Sequence, residues 1–359
     1  MRSTASPPAF LLPREAYCGD EWFEREQSLL FAHSWQVVAS VDDLASGGDY
    51  VTATVGGVPL VVVRGDDGGL RGYHNMCRHR GMALLEGCGN AGGAITCFYH
   101  EWRYDLDGEL RVVPQRKAQF PDLDLTAHSL LEASVGVWEG MVFANPDPLA
   151  VPLMEELGEL PAGIGSHRPG LLPVVARADL SARCNWKLLV ENHIDVYHLW
   201  YLHKRSLADL DHTKFEHTQL GRHWASYEPL RSPDLATARL VRGTRVIGHI
   251  DERDRFGVGA HLIFPNVLLA ANAEFFMSYA VVPVGPAECR MELRIRAEAG
   301  ADGDALLDAA RSFIDEDIHA CERIQAAMAS PWFEVGPLAR EHEAPITAFH
   351  EHVLAELVR

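Results

Sequence analysis

No stretch of this 359-residue chain approaches the ~20 consecutive apolar residues that a bilayer-spanning helix needs, so no membrane span is expected. Basic residues are scarce beside acidic ones, 32 Lys and Arg against 50 Asp and Glu, for a net charge of −18. That balance argues against nucleic acid or an anionic membrane as a partner, because either favours a basic face. The opening "MRSTASPPAFLLPREAY" has no apolar run leading to a small-residue cleavage site, so no signal peptide is expected. Repeats and low-complexity segments are missing too. Cysteine is sparse: seven residues, an odd number in a chain too large to need disulfide staples. Reduced thiols or metal ligands in a cytoplasm are the expectation.

What is there fits a soluble protein of about two domains, with 47% hydrophobic and 23% charged residues. Residues 14–34 place apolar side chains at helical spacing. From about 36 to 145 the chain turns to short β-rich runs cut by glycines, and "GDDGG" between two of them signals a hairpin. "PDPLAVPL" and "SHRPGLLP" mark a Pro-rich boundary between 146 and 173. Beyond it lie a helical segment at 185–206, then a mixed stretch. Strands are expected at about 237–250, 258–271, 274–284 and 288–298, and helices over 303–329 and 345–358. That order predicts an α+β fold, with helices packed on an antiparallel sheet.

Within the β-rich part, "CRHRG" at 77–81 is followed by "CFYHEW" at 97–102. Zinc usually takes two Cys and two His as like pairs, C-x2–4-C and H-x3–5-H. Here each pair is mixed, and the two pairs come from separate turns. A 2Fe–2S cluster in which two histidines replace two cysteines on one iron needs that arrangement, because each loop then offers its Cys to one iron and its His to the other. The stretch resembles the Rieske iron–sulfur motif, with Cys77, His79, Cys97 and His100 in register as ligands. "HRG" after the first pair and W-x-Y-D-L-D-G-x-L after the second also fit. Glu101 departs from the pattern, which usually has a small residue there, commonly glycine. The other five cysteines, Cys18, Cys88, Cys184, Cys289 and Cys321, lie at no ligand spacing and read as structural.

A second array follows in "ENHIDVYHLWYLH" at 191–203, with Asp195, His198 and His203. Histidines five apart point about 140° away from each other on an ideal helix, so a shared metal requires the helix to end or distort between them. The whole segment, from "NWK" through both histidines, resembles the mononuclear-iron helix of Rieske non-heme iron ring-hydroxylating oxygenases. That resemblance implies His198 and His203 as ligands of a ferrous ion, Asp195 as a bridging aspartate and Asn192 as a residue near the iron.

The third ligand is sought in "FIDEDIHACERIQ" at 313–325. On a helical wheel centred on Phe313, the apolar residues Leu306, Ala310, Cys321, Ile324 and Met328 share an arc of about 80° that contains Asp317. Asp315 and Glu316 fall at about 200° and 300°, towards solvent. A lone carboxylate on an apolar stripe needs a partner. Iron is that partner under the resemblance, whose E-D-x3-C-E-x2-Q pattern puts its aspartate at Asp317.

The resemblance covers nearly the whole chain. It implies an N-terminal helix packed on the catalytic domain (1–35), a Rieske 2Fe–2S domain (36–150) and a catalytic domain with a helix-grip antiparallel sheet around mononuclear Fe(II) (170–359). The protein would be the terminal oxygenase (alpha) component of such a system, taking O2 and hydroxylating an aromatic, cyclic or other small organic substrate. No nucleotide-binding glycine fingerprint is present, so electrons would come from a separate NAD(P)H reductase, directly or through a ferredoxin. Trp200, Tyr201, Trp224, Tyr227, Phe264, Phe275 and Phe276 are candidates for an aromatic pocket. An oxidised quaternary or methylated amine is the alternative substrate, held by cation–π attraction. Relatives of that kind often carry Glu at the bridging position, so Asp195 favours ring or aliphatic hydroxylation. The resemblance also implies a head-to-tail homotrimer, in which Asp195 bridges His198 to His100 of the partner subunit. A stand-alone electron carrier would need only the first part of the chain, and His198, His203 and Asp317 argue against it.

Overall fold

The computed structural model describes residues 9–238, 240, 241 and 243–358, with only the backbone described at 237 and 238. The chain divides into two compact units, one formed by Glu26–Glu156 and the other by the residues up to Arg25 together with Leu157 onwards. The first boundary thus falls inside the N-terminal segment expected to be one helix. That segment is broken into Glu15–Cys18, Asp20–Arg25, a π turn at Glu26–Leu30 and a 3-10 turn at Phe31–His33. Gly19 makes the first break by turning extended, with φ −98° and ψ 131°. Residues after Arg25 belong to the other unit, where Gly56 lets two backbones meet: a Cβ there would lie 2.2 Å from the Ala32 nitrogen.

In the 26–156 unit, strands β1 (Gln36–Ser40), β2 (Asp49–Val55), β3 (Val58–Arg64), β4 (Leu70–His74) and β5 (Cys88–Asn90) join a sheet with β9 (Glu132–Trp138) and β10 (Met141–Asn145). The order is β1-β10-β9-β4-β3-β2-β5. The short strands β6 (Ala94–Thr96), β7 (Arg103–Asp105) and β8 (Leu110–Val112) form a smaller sheet. The expected hairpin is present, with Arg64 paired to Leu70 across "GDDGG". Strand β3 is buried on both faces. Val61 and Val63 pack into one core, Leu60 and Val62 into another, as the period of two requires. The first of these cores also contains Cys77, Cys97, Trp102 and Tyr104.

The other unit is built on a seven-stranded antiparallel sheet. Its strands are β11 (Val174–Ala182), β12 (Glu216–Leu220), β13 (His223–Pro229), β14 (Gly257–Ile263), β15 (Val267–Ala271), β16 (Phe275–Gly285) and β17 (Glu288–Ala297). The order β11-β17-β16-β15-β14-β13-β12 is a meander, β12 to β17, with β11 added on its open edge. The α+β arrangement matches the sequence reading. Among the described residues of the stretch at about 237–250 the expected strand is not found: Leu235–Ala238 is a short helix, and Arg239 and Arg242 lie outside the described residues. The mixed stretch before it holds β12 and β13 instead.

Three helices matter for the site: Trp186–Ile194, Gly303–Met328 and Ala344–Leu357. Asn185 caps the first by accepting the Lys187 amide, and Asp302 caps the second by accepting that of Ala305. The buried stripe of the 303–328 helix is Leu306, Ala310, Ile314, Cys321, Gln325 and Met328. It is rotated from the predicted arc towards Ile314, and Ile324 is 45% exposed. Fully burying one such aliphatic side chain contributes roughly 1.5–3 kcal/mol, enough to fix which face looks inward. Among the described residues no helix is long and apolar enough to cross a membrane.

Candidate metal centres

The two Cys/His loops of the 26–156 unit are built alike. Cys77 N donates to Met82 O and Cys97 N to Trp102 O, each five residues on. Gly81 N donates to Cys77 O and Glu101 N to Cys97 O, each from four residues on. Both loops therefore fold back on their own cysteine, and Gly81 and Glu101 occupy equivalent left-handed positions, at φ 74° and 57°. That conformation is open to glycine and strained for other residues, which explains why Glu101 stood out in the sequence.

Folding the loops this way brings their side chains together. Cys77 and Cys97 are buried in one core, at 3% and 1% exposure. The His79 and His100 rings sit half-buried with centroids 4.6 Å apart, and His79 stacks on Trp102 at 4.8 Å. Burial pushes the Cys77 thiol up, partly offset by Tyr104, whose hydroxyl lies 3.4 Å from its sulfur. Two adjacent thiols at depth ionise readily only beside a cation. Among the described residues His79 Nδ1 is buried with no hydrogen-bond partner, the state expected of a nitrogen reserved for a metal. The donor set, two buried thiols with two imidazoles nearer the surface, fits a 2Fe–2S cluster with one iron on each pair.

In the other unit the 186–194 helix stops before either histidine of the second array. Asp195 Oδ1 accepts the amides of Tyr197 at 2.6 Å and His198 at 3.4 Å, an Asx turn that redirects the chain. A 3-10 turn at Tyr197–Trp200 and further turns then carry His203 round to face His198, with ring centroids 5.0 Å apart. The 303–328 helix supplies Asp317. Its Oδ1 lies 2.9 Å from His203 Nε2 and 3.6 Å from His198 Nε2. Among the described residues no hydrogen bond reaches that buried oxygen. Of the described residues, His198, His203 and Asp317 form the one group whose donor atoms all lie within 4.8 Å of one another. Two imidazoles and one carboxylate converging from one side, with room beyond, are the facial donor set suited to ferrous iron. Burial lowers the His203 pKa, but the carboxylates on its two sides outweigh it and raise the pKa above the ordinary value.

The cavity beside this group has a volume of about 280 Å³. Asn192, His193 and Asp195 line it along with the three converging residues. Of the aromatic residues singled out in the sequence, Trp224 and Phe275 line it. Trp200, Tyr201, Tyr227, Phe264 and Phe276 do not; Phe276 alternates with Phe275 on β16, and Tyr201 is 60% exposed. Phe215, Tyr279 and Phe313 take their places. Tyr279 OH lies 2.7 Å from His193 Nδ1, and His193 Nε2 lies 3.1 Å from His261 O. Because a carbonyl can only accept, His193 carries its proton on Nε2, and the tyrosine donates to Nδ1. Burial lowers the His193 pKa to about 4 and keeps the ring neutral. No spacing rule pointed to these partners of His193: β16 supplies Tyr279 and β14 supplies His261.

Glu316 requires a correction. The helical wheel sent it to solvent with Asp315. Asp315 does pair with Arg311 on the surface, at 3.0 Å. The Glu316 carboxylate instead lies 2.8 Å from His203 Nδ1 and accepts the Ser206 hydroxyl at 2.8 Å.

Residues 34–130 match the family model for the Rieske [2Fe-2S] domain, and residues 171–357 the model described as ring hydroxylating alpha subunit (catalytic domain). The carnitine monooxygenase oxygenase subunit of Escherichia coli (strain K12) is 32% identical over 243 residues, 67% of this chain. The match spans 64% of that protein's own length. Among solved structures, the quaternary ammonium Rieske monooxygenase CntA in complex with L-carnitine has a TM-score of 0.81 and 26% identity, over 98% of this chain and 97% of that one. Naphthalene 1,2-dioxygenase from Rhodococcus sp. shares the fold, with a TM-score of 0.76 at 20% identity over 97% of this chain and 94% of its own.

Proposed function

The chain belongs to the ring-hydroxylating alpha-subunit family of Rieske oxygenases, and we propose that it is a terminal oxygenase component acting on a small organic substrate in the cavity beside His198, His203 and Asp317. The observation that carries this reading is the convergence of those three donor atoms, one of them an orphaned buried carboxylate oxygen, at the wall of that cavity. Cys77, His79, Cys97 and His100 would hold the 2Fe–2S cluster, and His198, His203 and Asp317 the mononuclear iron. When bound, these groups supply electron storage and dioxygen chemistry.

The chain's own residues hold and shape the site. Asp195 fixes the turn that presents His198. The Tyr279–His193–His261 chain leaves His193 neutral beside the cavity, so no imidazolium repels the bound cation. Leu207, Phe215, Phe275 and Phe313 give the cavity apolar walls that exclude water from an oxidising reaction. A separate NAD(P)H reductase, alone or through a ferredoxin, would deliver electrons. The seven free cysteines suit a cytoplasmic location. We take the assembly to be a homotrimer in which one subunit's cluster serves its neighbour's iron.

Hydroxylation of an aromatic or cyclic substrate would use stacking on those walls. Oxidation of a quaternary or methylated amine is favoured over it by one observation: Glu228 places a carboxylate, 5% exposed and held 3.1 Å from His212 Nδ1, on the same wall as Trp224 and Phe215. An aromatic wall with a buried carboxylate attracts a cation twice, through the rings and through the charge. The relatives named for carnitine and quaternary ammonium substrates point the same way.

The test is oxygen uptake by the metal-loaded protein with a generic reductase, over aromatic acids, amines and methylated amines. A red-brown protein whose oxygen consumption depends on a member of that panel supports the proposal. A colourless protein that holds zinc at the four Cys/His positions refutes it.

A further inference from the structure

We propose that Glu316 is the positioning residue for the mononuclear metal centre, clamping the His203 imidazole in the tautomer and plane that binding requires. This rests on the assignment of His198, His203 and Asp317 as ligands. Consecutive residues on a helix project about 100° apart, so the side chains of Glu316 and Asp317 form a fork. The His203 ring lies in that fork. Asp317 Oδ1 is 2.9 Å from Nε2 and Glu316 Oε2 is 2.8 Å from Nδ1, so each ring nitrogen faces a different carboxylate from one turn of one helix.

The chemistry of the two contacts differs. Glu316 also receives the Ser206 hydroxyl at 2.8 Å, which ties the loop after His203 back to the helix. Its oxygen is thus an acceptor for two donors, and it holds the imidazole proton on Nδ1. With one proton held on Nδ1, Nε2 is the nitrogen free to take a metal shared with Asp317. His203 is 1% exposed, and beside Glu316 its Nδ1 has the Ser206 hydroxyl at 3.2 Å, which the same carboxylate orients. An imidazole that donates to a carboxylate on its far side is a more basic and better oriented ligand, and losing such a partner typically weakens metal binding by about 10–100-fold. Asp315, one residue earlier, is spent on Arg311 at the surface and serves as the control.

The experiment titrates the full chain, with its cluster in place and the iron chelated away, with Co(II) against a competing fluorescent chelator. Glu316→Ala is expected to weaken Co(II) binding by about 10–100-fold. Glu316→Gln, which keeps an acceptor, should recover most of the loss, and Asp315→Ala should stay within about twofold of the wild type. Labelled-histidine 15N spectra of the metal-free protein, taken above the raised His203 pKa where the ring carries a single proton, read the tautomer directly. The His203 proton should sit on Nδ1 in the wild type and in Glu316→Gln, and lose that preference in Glu316→Ala. If Glu316→Ala does not fold, the Glu316→Gln and Ser206→Ala spectra still decide, since a wild-type proton on Nε2 overturns the clamp. Unchanged Co(II) affinity in Glu316→Ala, or an equal loss in Asp315→Ala, also overturns it. If Co(II) binding survives His198→Ala and Asp317→Ala alike, the metal-centre assignment itself fails, and the clamp with it.

Discussion

Asp195 Oδ2 stands 3.2 Å from His198 Nδ1, while the opposite nitrogen of that ring faces Asp317 at 3.6 Å. One imidazole therefore links the convergence point to a carboxylate on its far side. In the proposed head-to-tail trimer that carboxylate would meet His100 of the partner subunit. Mixing Cys77→Ala chains, which cannot donate electrons, with Asp317→Ala chains, which cannot accept them, tests the arrangement. With equal random mixing, three quarters of closed rings are mixed, and each mixed ring has one productive neighbour pair in three. Activity should recover to about a quarter of the wild type, from two inactive parents. Verified mixed rings with no activity would show that electrons do not cross between subunits.

Cys77→Ala and His100→Ala should each abolish the optical and EPR signals of the cluster. The catalytic unit should still bind about one iron, because its ligands come from a separately packed unit. A normal cluster spectrum in Cys77→Ala would remove Cys77 from the ligand set.

Asp317→Ala should do the reverse: an intact cluster spectrum, little mononuclear iron and turnover down by at least about 100-fold, since a facial triad missing its carboxylate loses both charge and geometry. Iron content by elemental analysis separates this from Asp315→Ala, which should remain near the wild type. Iron loss in Asp315→Ala with retention in Asp317→Ala would reverse the assignment.

How much of this was legible in the sequence depends on what each feature is made of. Cys/His spacing within one loop is local, so the grouping of Cys77, His79, Cys97 and His100 could be read directly. The helical period carried Asp317 onto the face that meets His198 and His203, because a 26-residue amphipathic helix averages out errors in its arc. Glu316 was lost to the same wheel. A wheel tracks Cα directions, and a glutamate side chain is long enough to turn back towards a loop more than a hundred residues away in sequence. The cavity walls were the least legible, since inward and outward positions on β13 to β16 alternate and a one-residue error in register exchanges them. Phe275 and Phe276 show that directly.

Acid should weaken the fold through His261. Its ring is 2% exposed, and neither nitrogen has a hydrogen-bond partner among the described residues. Burial, aided by His193, His167 and Arg253, lowers its pKa from 6.5 to about 3. The folded chain keeps it neutral while the unfolded chain takes up a proton below pH 6.5. Its contribution is complete above that pH and declines as the pH falls towards 3. By linkage, wild type should lose roughly 2 kcal/mol from this group between pH 7.5 and 5. His261→Leu should flatten that part of the slope in denaturant unfolding followed against pH. Parallel slopes would clear His261 of the effect.

Glu101→Gly should stabilise the second cluster loop, giving it the residue that its twin has at Gly81. A left-handed non-glycine residue costs roughly 1–2 kcal/mol, and glycine's extra unfolded freedom returns roughly 0.5–1, for a net gain of about 0.5–1 kcal/mol. Removing a carboxylate beside His100 should also raise the cluster's reduction potential. Thermal melting and potentiometric titration read the two effects; a lower melting point would mean that the Glu101 side chain contributes more than its backbone costs.

The catalytic unit is discontinuous: its first piece ends at Arg25 and its second begins at Leu157. Tyr17 from the first piece and His350 from the last helix meet on the same Glu191 oxygen, with the His350 contact at 2.9 Å. A ribosome therefore releases the intervening unit, cysteines and all, before the final helix exists to close that three-way contact. Cluster insertion can begin on a nascent chain whose iron site is still unmade. The topology thus lets the intervening unit fold, and its four Cys/His side chains come together, before the first and last pieces of the other unit can meet.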